Sequence, residues 1–220
     1  MKKISVIIPA YNEEEKIGEV IDKVKNTKFN SEIIVVDNCS TDKTSEIAKS
    51  KQVITVFCPN KGKGYAMEMG LQYATGEIVV FIDGDLGIYT DDIIGLMISP
   101  IMDRNVDFTK AAFTREGGRV TELVAKPLLE LLFTGMDVFE QPLSGIIAGK
   151  KEFFDKITFE KDYGVDIGIL LDMVNMKANI EQVHLGRIDN NSQSWKSLSD
   201  MAKQVANAIL RRANYVKKEK

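Results

Sequence analysis

Two carboxylates one residue apart follow an apolar run in Phe81-Ile82-Asp83-Gly84-Asp85-Leu86. The run from Ile78 to Ile82 reads as a buried strand, so both acids stand where that strand ends. Gly84 permits a sharp turn between them, which lets the two side chains face one point. Hard oxygen ligands at this spacing suit Mg²⁺ or Mn²⁺, which bind through few carboxylates together with the phosphates of a substrate. The ligand ladder of a calcium-binding hand is missing. An Asp-Gly turn with both acids merely solvated is the competing reading of so short a motif.

Other chemistry thins out quickly. Gly145-Ile146-Ile147-Ala148-Gly149-Lys150-Lys151 approaches a Walker A loop, but it is one residue short and no Ser or Thr follows the lysine. Gly62-Lys63-Gly64 follows a strand without the full dinucleotide fingerprint, so it does not argue for NAD. His184 is the one histidine in the chain, which excludes multi-histidine zinc sites and leaves little room for a Ser-His-Asp triad. A lone histidine in an apolar strand is more often structural than catalytic.

The elements that must position these residues alternate. Ile4 to Ile8 is a short apolar strand stopped by Pro9, and Ile17, Val20, Ile21 and Val24 form one buried helical face. Ile33 to Val36 and Val53 to Phe57 are further strands. A helix capped by Thr41 or Asp42 lies between them, and another runs from about Tyr65 to Ala74. Strand and helix alternating over short connections predict an α/β fold with a mostly parallel, doubly covered sheet. Ligands of such sheets sit beyond the carboxyl ends of the strands. That rule selects four polar loops: Pro9 to Glu13, Asp37 to Asp42, Asn60 to Gly64, and Asp83 to Asp85. The second half is less regular, with strands expected at Val106 to Ala111, Ser144 to Ala148 and Ile180 to Ile188. A helix is expected from Thr121 to Phe133, kinked or truly started at Pro127, and a last one carries Leu198, Met201, Ala202, Val205 and Ile209 on one face.

In order along the chain, these loops resemble the nucleotide-sugar loops of GT-A glycosyltransferases. The residues that carry the likeness are Ile7-Ile8-Pro9-Ala10-Tyr11-Asn12-Glu13-Glu14, Val36-Asp37-Asn38-Cys39-Ser40-Thr41-Asp42, Asn60-Lys61-Gly62-Lys63-Gly64 and Asp83-Gly84-Asp85-Leu86. The resemblance implies a Rossmann-like, nucleotide-sugar-binding fold. It also implies that Pro9, Ala10, Tyr11, Glu13, Asp37, Asn38 and Lys63 surround the nucleoside, and that Asp83, Gly84 and Asp85 meet ribose, diphosphate and metal.

Gly117-Gly118-Arg119-Val120-Thr121-Glu122-Leu123-Val124-Ala125-Lys126-Pro127-Leu128-Leu129 is similar to the acceptor segment of glucosyl-3-phosphoglycerate and mannosyl-3-phosphoglycerate synthases. Gln141-Pro142-Leu143-Ser144-Gly145 and Tyr163-Gly164-Val165-Asp166-Ile167-Gly168 resemble that group's next two motifs. The likeness implies transfer of glucose or mannose, with retention, from UDP-glucose or else GDP-mannose to the 2-hydroxyl of 3-phosphoglycerate. Gly118, Arg119, Val120 and Thr121 then bind the acceptor, and Asp166 orients its hydroxyl or takes its proton. Glycines and a helix start allow close approach to an anion, and arginine grips phosphate through paired hydrogen bonds.

Two departures from the pattern stand out. The family carries glutamate where Asp166 stands, so the acid is a methylene shorter. The family's late metal-binding histidine falls within Leu185-Gly186-Arg187-Ile188-Asp189-Asn190-Asn191, so Asn190 or Asp189 substitutes as ligand beside Asp85, or His184 reaches in.

Composition sets the remaining expectations. The 220 residues, 44% apolar and 28% charged, fit one GT-A domain, 1–220, with a donor half (1–90) and an acceptor half (91–220). A net charge of -3 argues against a nucleic-acid footprint. Two cysteines, Cys39 and Cys58, fit a reducing compartment, and no run approaches a membrane span of about 20 apolar residues, so the expected location is the cytoplasm. The expected assembly is a homodimer. Rival readings are a polyprenyl-phosphate hexosyltransferase, a nucleotide-sugar pyrophosphorylase (which needs a Gly-rich, Arg-containing first loop) and a catalytically silent nucleotide-sugar-binding module.

Overall fold

The protein is described by a computed structural model covering residues 3–85, 87, 92–114, 118–187 and 195–215. The first half runs β1 (Ile4–Ala10), α1 (Ile17–Lys25), β2 (Ser31–Asp37), α2 (Thr44–Ser50), β3 (Ile54–Phe57), α3 (Lys63–Tyr73) and β4 (Ile78–Phe81). The second half runs α4 (Ile93–Asp103), β5 (Phe108–Thr114), a π-helical turn (Thr121–Ala125), α5 (Lys126–Leu132), β6 (Ile147–Lys150), α6 (Lys151–Phe154), α7 (Val165–Asn175), β7 (Ile180–Arg187) and α8 (Trp195–Arg212).

The strands form one seven-stranded sheet in the order β3-β2-β1-β4-β6-β5-β7. All pairings are parallel except those of β6, which runs against both β4 and β5. The reversal matters for the site. Phe81, at the carboxyl end of β4, pairs with Ile147, at the start of β6, so the 141–146 loop arrives at the edge where Asp83 leaves.

Strand alternation divides the core in two. Ile4, Val6 and Ile8 pack on one face with the α1 stripe Ile17, Val20, Ile21 and Val24 and with α4. Ile7 points the other way, into a layer with α3, α7 and α8. Ile7, Ile34, Val79 and Phe81 are wholly buried. Each such side chain contributes about 1.5–3 kcal/mol through removal from water.

The structure revises several boundaries. The third helix starts at Lys63, two residues before the expected Tyr65, which places the lysine in its first turn. β5 begins at Phe108 and β6 at Ile147, each later than predicted. The expected 121–133 helix is split. Lys126 N–H reaches Thr121 O across five residues, and Pro127 then sits in the first turn of α5, where its missing N–H costs nothing. Asp42 rather than Thr41 serves the α2 end, its Oδ1 accepting from Thr44 N–H at 3.0 Å. Three helices, α4, the short α6 and α7, were not anticipated at all.

Candidate active site

A cavity of about 440 Å³ opens at the carboxyl edge of the sheet. Its donor-side wall is tied together by side chain to backbone hydrogen bonds across loops distant in sequence. Asn12 Oδ1 accepts from Thr41 N–H (2.8 Å), and Thr44 Oγ1 accepts from Glu13 N–H (2.8 Å). Asn38 Nδ2 donates to Asn60 O and its Oδ1 accepts from Gly62 N–H, both at 2.7 Å, so one amide fixes the path into α3. Gly62 and Gly64 are forced by contact. A β-carbon on either would overlap the Lys161 or Glu160 carbonyl oxygen, at 2.2 and 1.6 Å. The resulting α3 N-terminus has no side-chain cap, which leaves its first-turn donors to an anion.

In the cavity lining, Lys63 Nζ joins two carboxylates from different halves of the chain. It lies 2.8 Å from Asp83 Oδ1 and 2.7 Å from Asp166 Oδ2. Burial opposes the charge on Lys63, but Asp166 and Asp83 outweigh it and hold the ammonium above its ordinary value. Burial raises the Asp166 carboxyl, and Lys63 is the largest influence opposing that rise, favouring the charged form. Asp166 Oδ1 is buried and unpartnered among the described residues, leaving one acceptor oxygen for a hydroxyl. The trio fits only because residue 145 is glycine: a methyl there would lie 2.2 Å from Asp83 Oδ1 and 2.5 Å from Lys63 Nζ.

Asp85 and Glu13 stand beside this trio. Burial and Asp83 raise Asp85, while burial followed by Asp85, Asp42 and Asp83 push Glu13 up to about 7. Carboxylates crowded until they repel one another form a donor set that a hard divalent cation relieves. Among the described residues no group of three or more His, Cys, Asp or Glu side chains is placed to hold a metal.

The sequence-derived residues sort as follows. Pro9, Ala10, Tyr11, Glu13, Asn38, Lys63, Asp83, Gly84 and Asp85 of the expected donor site line the cavity. Gly118, Arg119, Val120, Thr121 and Asp166 of the expected acceptor site line the same cavity. Asp37 does not reach it. That carboxylate is buried behind the loop, its Oδ1 accepting from Ser40 N–H at 2.9 Å. His184 does not line it either. Its side chain is 67% exposed, with Nδ1 3.7 Å from Glu140 Oε1, and it is not among the residues that line the cavity with Asp83 and Asp85. Asn190 and Asp189 lie outside the described residues, as do Leu86 and Gly117. The acceptor segment turns helical at Arg119, not Thr121, after Gly118 at φ +75°.

Sequence reasoning missed several groups. Lys110 is wholly buried, its Nζ donating to Ser144 O (2.8 Å) and Asp166 O (3.2 Å), and burial pulls it down to about 8 against the pull of Asp166. A lysine inside the apolar run Val106 to Ala111 was the available signal. Lys61 stacks on Tyr11 at 4.0 Å from the ring centre and donates to its hydroxyl at 2.7 Å. Tyr163, Leu143, Leu198 and Met201 complete the acceptor wall.

Comparison with known proteins is consistent along the whole chain. The pattern of "Glycosyl transferase family 2" matches residues 5–159. A glucosyl-3-phosphoglycerate synthase of Mycolicibacterium smegmatis is 32% identical over 96% of this chain and 78% of its own length. One from Petrotoga mobilis is 33% identical over 96% of this chain and 73% of its own. The crystal structure of the Mycobacterium tuberculosis glucosyl-3-phosphoglycerate synthase with Mn²⁺, UDP-glucose and phosphoglyceric acid superposes with a TM-score of 0.92. That match has 33% identity and covers 99% of this chain and 81% of that one. The match carries the mostly parallel GT-A sheet. With the family pattern spanning both donor carboxylates and the loop that packs on them, the chain belongs to glycosyl transferase family 2.

Proposed function

We propose that this protein moves glucose from UDP-glucose to the 2-hydroxyl of 3-phosphoglycerate, with retention and with Mg²⁺ or Mn²⁺. The observation that carries the reading is that the donor loops and the Gly118–Thr121 segment line one cavity. Relatives of that activity match through both halves. A polyprenyl-phosphate acceptor loses support for the same reason, and no helix among the described residues is long and apolar enough to cross a membrane.

The chain's own residues divide the work. Pro9 to Glu13, with Asn38, frame the nucleoside, and Asp83 meets ribose. Lys63 and the uncapped α3 N-terminus face the diphosphate. Asp85 and substrate phosphates hold the cation, which supplies charge neutralisation for the departing diphosphate. Asp166 Oδ1, its partner oxygen locked by Lys63, accepts from the acceptor 2-hydroxyl and aims it at the sugar. The C1–O bond to diphosphate breaks, a C1–O bond to glycerate forms on the same face, and the hydroxyl proton passes to the departing phosphate. Gly118 to Thr121 grip the 3-phosphate. We further take 1–220 as one unit acting as a homodimer in the cytoplasm. Its two unpaired cysteines support that location, and light scattering tests the assembly.

The test is a panel of UDP- and GDP-sugars with 3-phosphoglycerate, read by nucleotide diphosphate release. UDP-glucose should give turnover that chelator abolishes and Mg²⁺ or Mn²⁺ restores. Full turnover in excess chelator, or none with any member of the panel, sinks the reading.

A further inference from the structure

We propose that Trp195 is a positioning residue of the acceptor site, holding the Arg119 guanidinium flat so that its N–H edge meets the acceptor phosphate. The inference rests on the function proposed above and assigns Trp195 a role within it. The guanidinium carbon of Arg119 lies 4.7 Å from the centre of the Trp195 ring, within cation–π range. Arg119 forms no ion pair among the described residues, so no carboxylate among them competes for its donors. Stacking engages the face of the guanidinium and leaves the in-plane fork free, and that fork is the part that matches a phosphate.

The placement of Trp195 is set from a distance. It opens the 18-residue helix α8, and Leu198, three residues on, lines the cavity with Met201 and Val205. The far end of that helix is anchored by Arg212, which donates to Asp172 at 2.8 and 2.7 Å and to Glu160 at 2.6 Å. A helix pinned at its carboxyl end and packed along its middle presents its first residue at a fixed point. Trp195 itself is 72% exposed, so it adds little to the core. Substituting it therefore tests the site rather than the fold. An indole left this open, against the one cation of the Gly118–Thr121 stretch, is accounted for by what it does to Arg119.

Trp195 is the sole tryptophan, which makes the test direct. Its emission in the wild type should change saturably with 3-phosphoglycerate, much less with glycerate, and not at all in Arg119→Ala. Trp195→Leu should raise the KM for 3-phosphoglycerate roughly two- to fivefold, leaving kcat and the KM for UDP-glucose in place. Trp195→Phe should recover most of that loss, and Trp195→Leu should add nothing to Arg119→Ala. Unchanged acceptor kinetics in Trp195→Leu, in a protein that does turn over 3-phosphoglycerate, overturns the role of Trp195 alone. So does an equal rise in both KM values. A wild type that neither turns over 3-phosphoglycerate nor changes its emission overturns the proposed function, and this inference with it.

Discussion

The two walls of the cavity are built by different means. The donor wall is made of short loops leaving parallel strands, and those after β1, β2 and β3 are stitched together by backbone hydrogen bonds to Asn12, Asn38, Asp42 or Thr44. The acceptor wall gathers single residues from the β5 exit, the 141–146 loop, α7 and α8, and holds them by packing and charge. A stitched wall suits a ligand whose recognition is mostly backbone and polar. A gathered wall ties acceptor choice to the global packing of the second half, so its side chains are easier to vary one at a time. Lys63 is where the walls meet, since it pairs with Asp83 of one and Asp166 of the other.

Substitutions can break this contrast in order of size. Asp85→Ala should lower kcat on the order of 10³-fold, because stabilisation of the departing charge is worth several kcal/mol, while the fold stays intact by circular dichroism. Gly145→Ala tests the junction. Its methyl must displace Asp83 or Lys63, and a misplacement of that kind should cost about 10²-fold in kcat/KM for donor and acceptor alike. An effect on one substrate only would show that the junction does not couple the walls.

Arg119→Lys should act on the acceptor wall alone, raising the KM for 3-phosphoglycerate about tenfold while UDP binding by calorimetry is unchanged. A smaller effect concerns stability. Asp107, 2.5 Å from Lys150 and accepting from Asn179 N–H, ties β5 to β6 and β7, and although burial opposes it these partners hold its carboxyl below the usual range. A depressed native value contributes stability above the unfolded value near ~3.9, and that stability is lost as pH falls through the lower native value. Asp107→Asn should therefore cost about 1–2 kcal/mol at pH 7, with the gap from wild type closing in acid, as read by urea melts. Smallest of all, His184→Ala should leave the Mg²⁺ or Mn²⁺ requirement unchanged, as its exposed ring beside Glu140 suggests.

The same contrast explains what was legible in the amino-acid sequence. Each donor loop is a local motif after an apolar strand, so its residues and their edge of the sheet could be read without knowing the fold. The acceptor wall depends on pairings far apart in the chain, such as Lys63 with Asp166, 103 residues away. No local pattern encodes them. Helix α7 was missed because Val165, Ile167, Ile169, Leu170, Leu171 and Met173 are all buried, between the sheet and α8, leaving no polar stripe to mark a period. Helix α4 was missed although Ile93, Ile94, Met97, Ile98 and Ile101 follow a helical period, because Pro100 interrupts the pattern. Asp37 was assigned to the ligand on the strength of its motif, yet its carboxylate is turned to Ser40. A motif locates a loop, whereas the direction of each side chain depends on the hydrogen bonds inside it.

The most direct measurement is a four-way kinetic comparison of wild type and Arg119→Lys, each with 3-phosphoglycerate and with glycerate, at saturating UDP-glucose. If one cavity seats the sugar donor and grips the acceptor phosphate through Arg119, removing the phosphate costs wild type far more in kcat/KM than it costs the mutant. Equal losses in both proteins, or a wild type indifferent to the phosphate, would contradict the account.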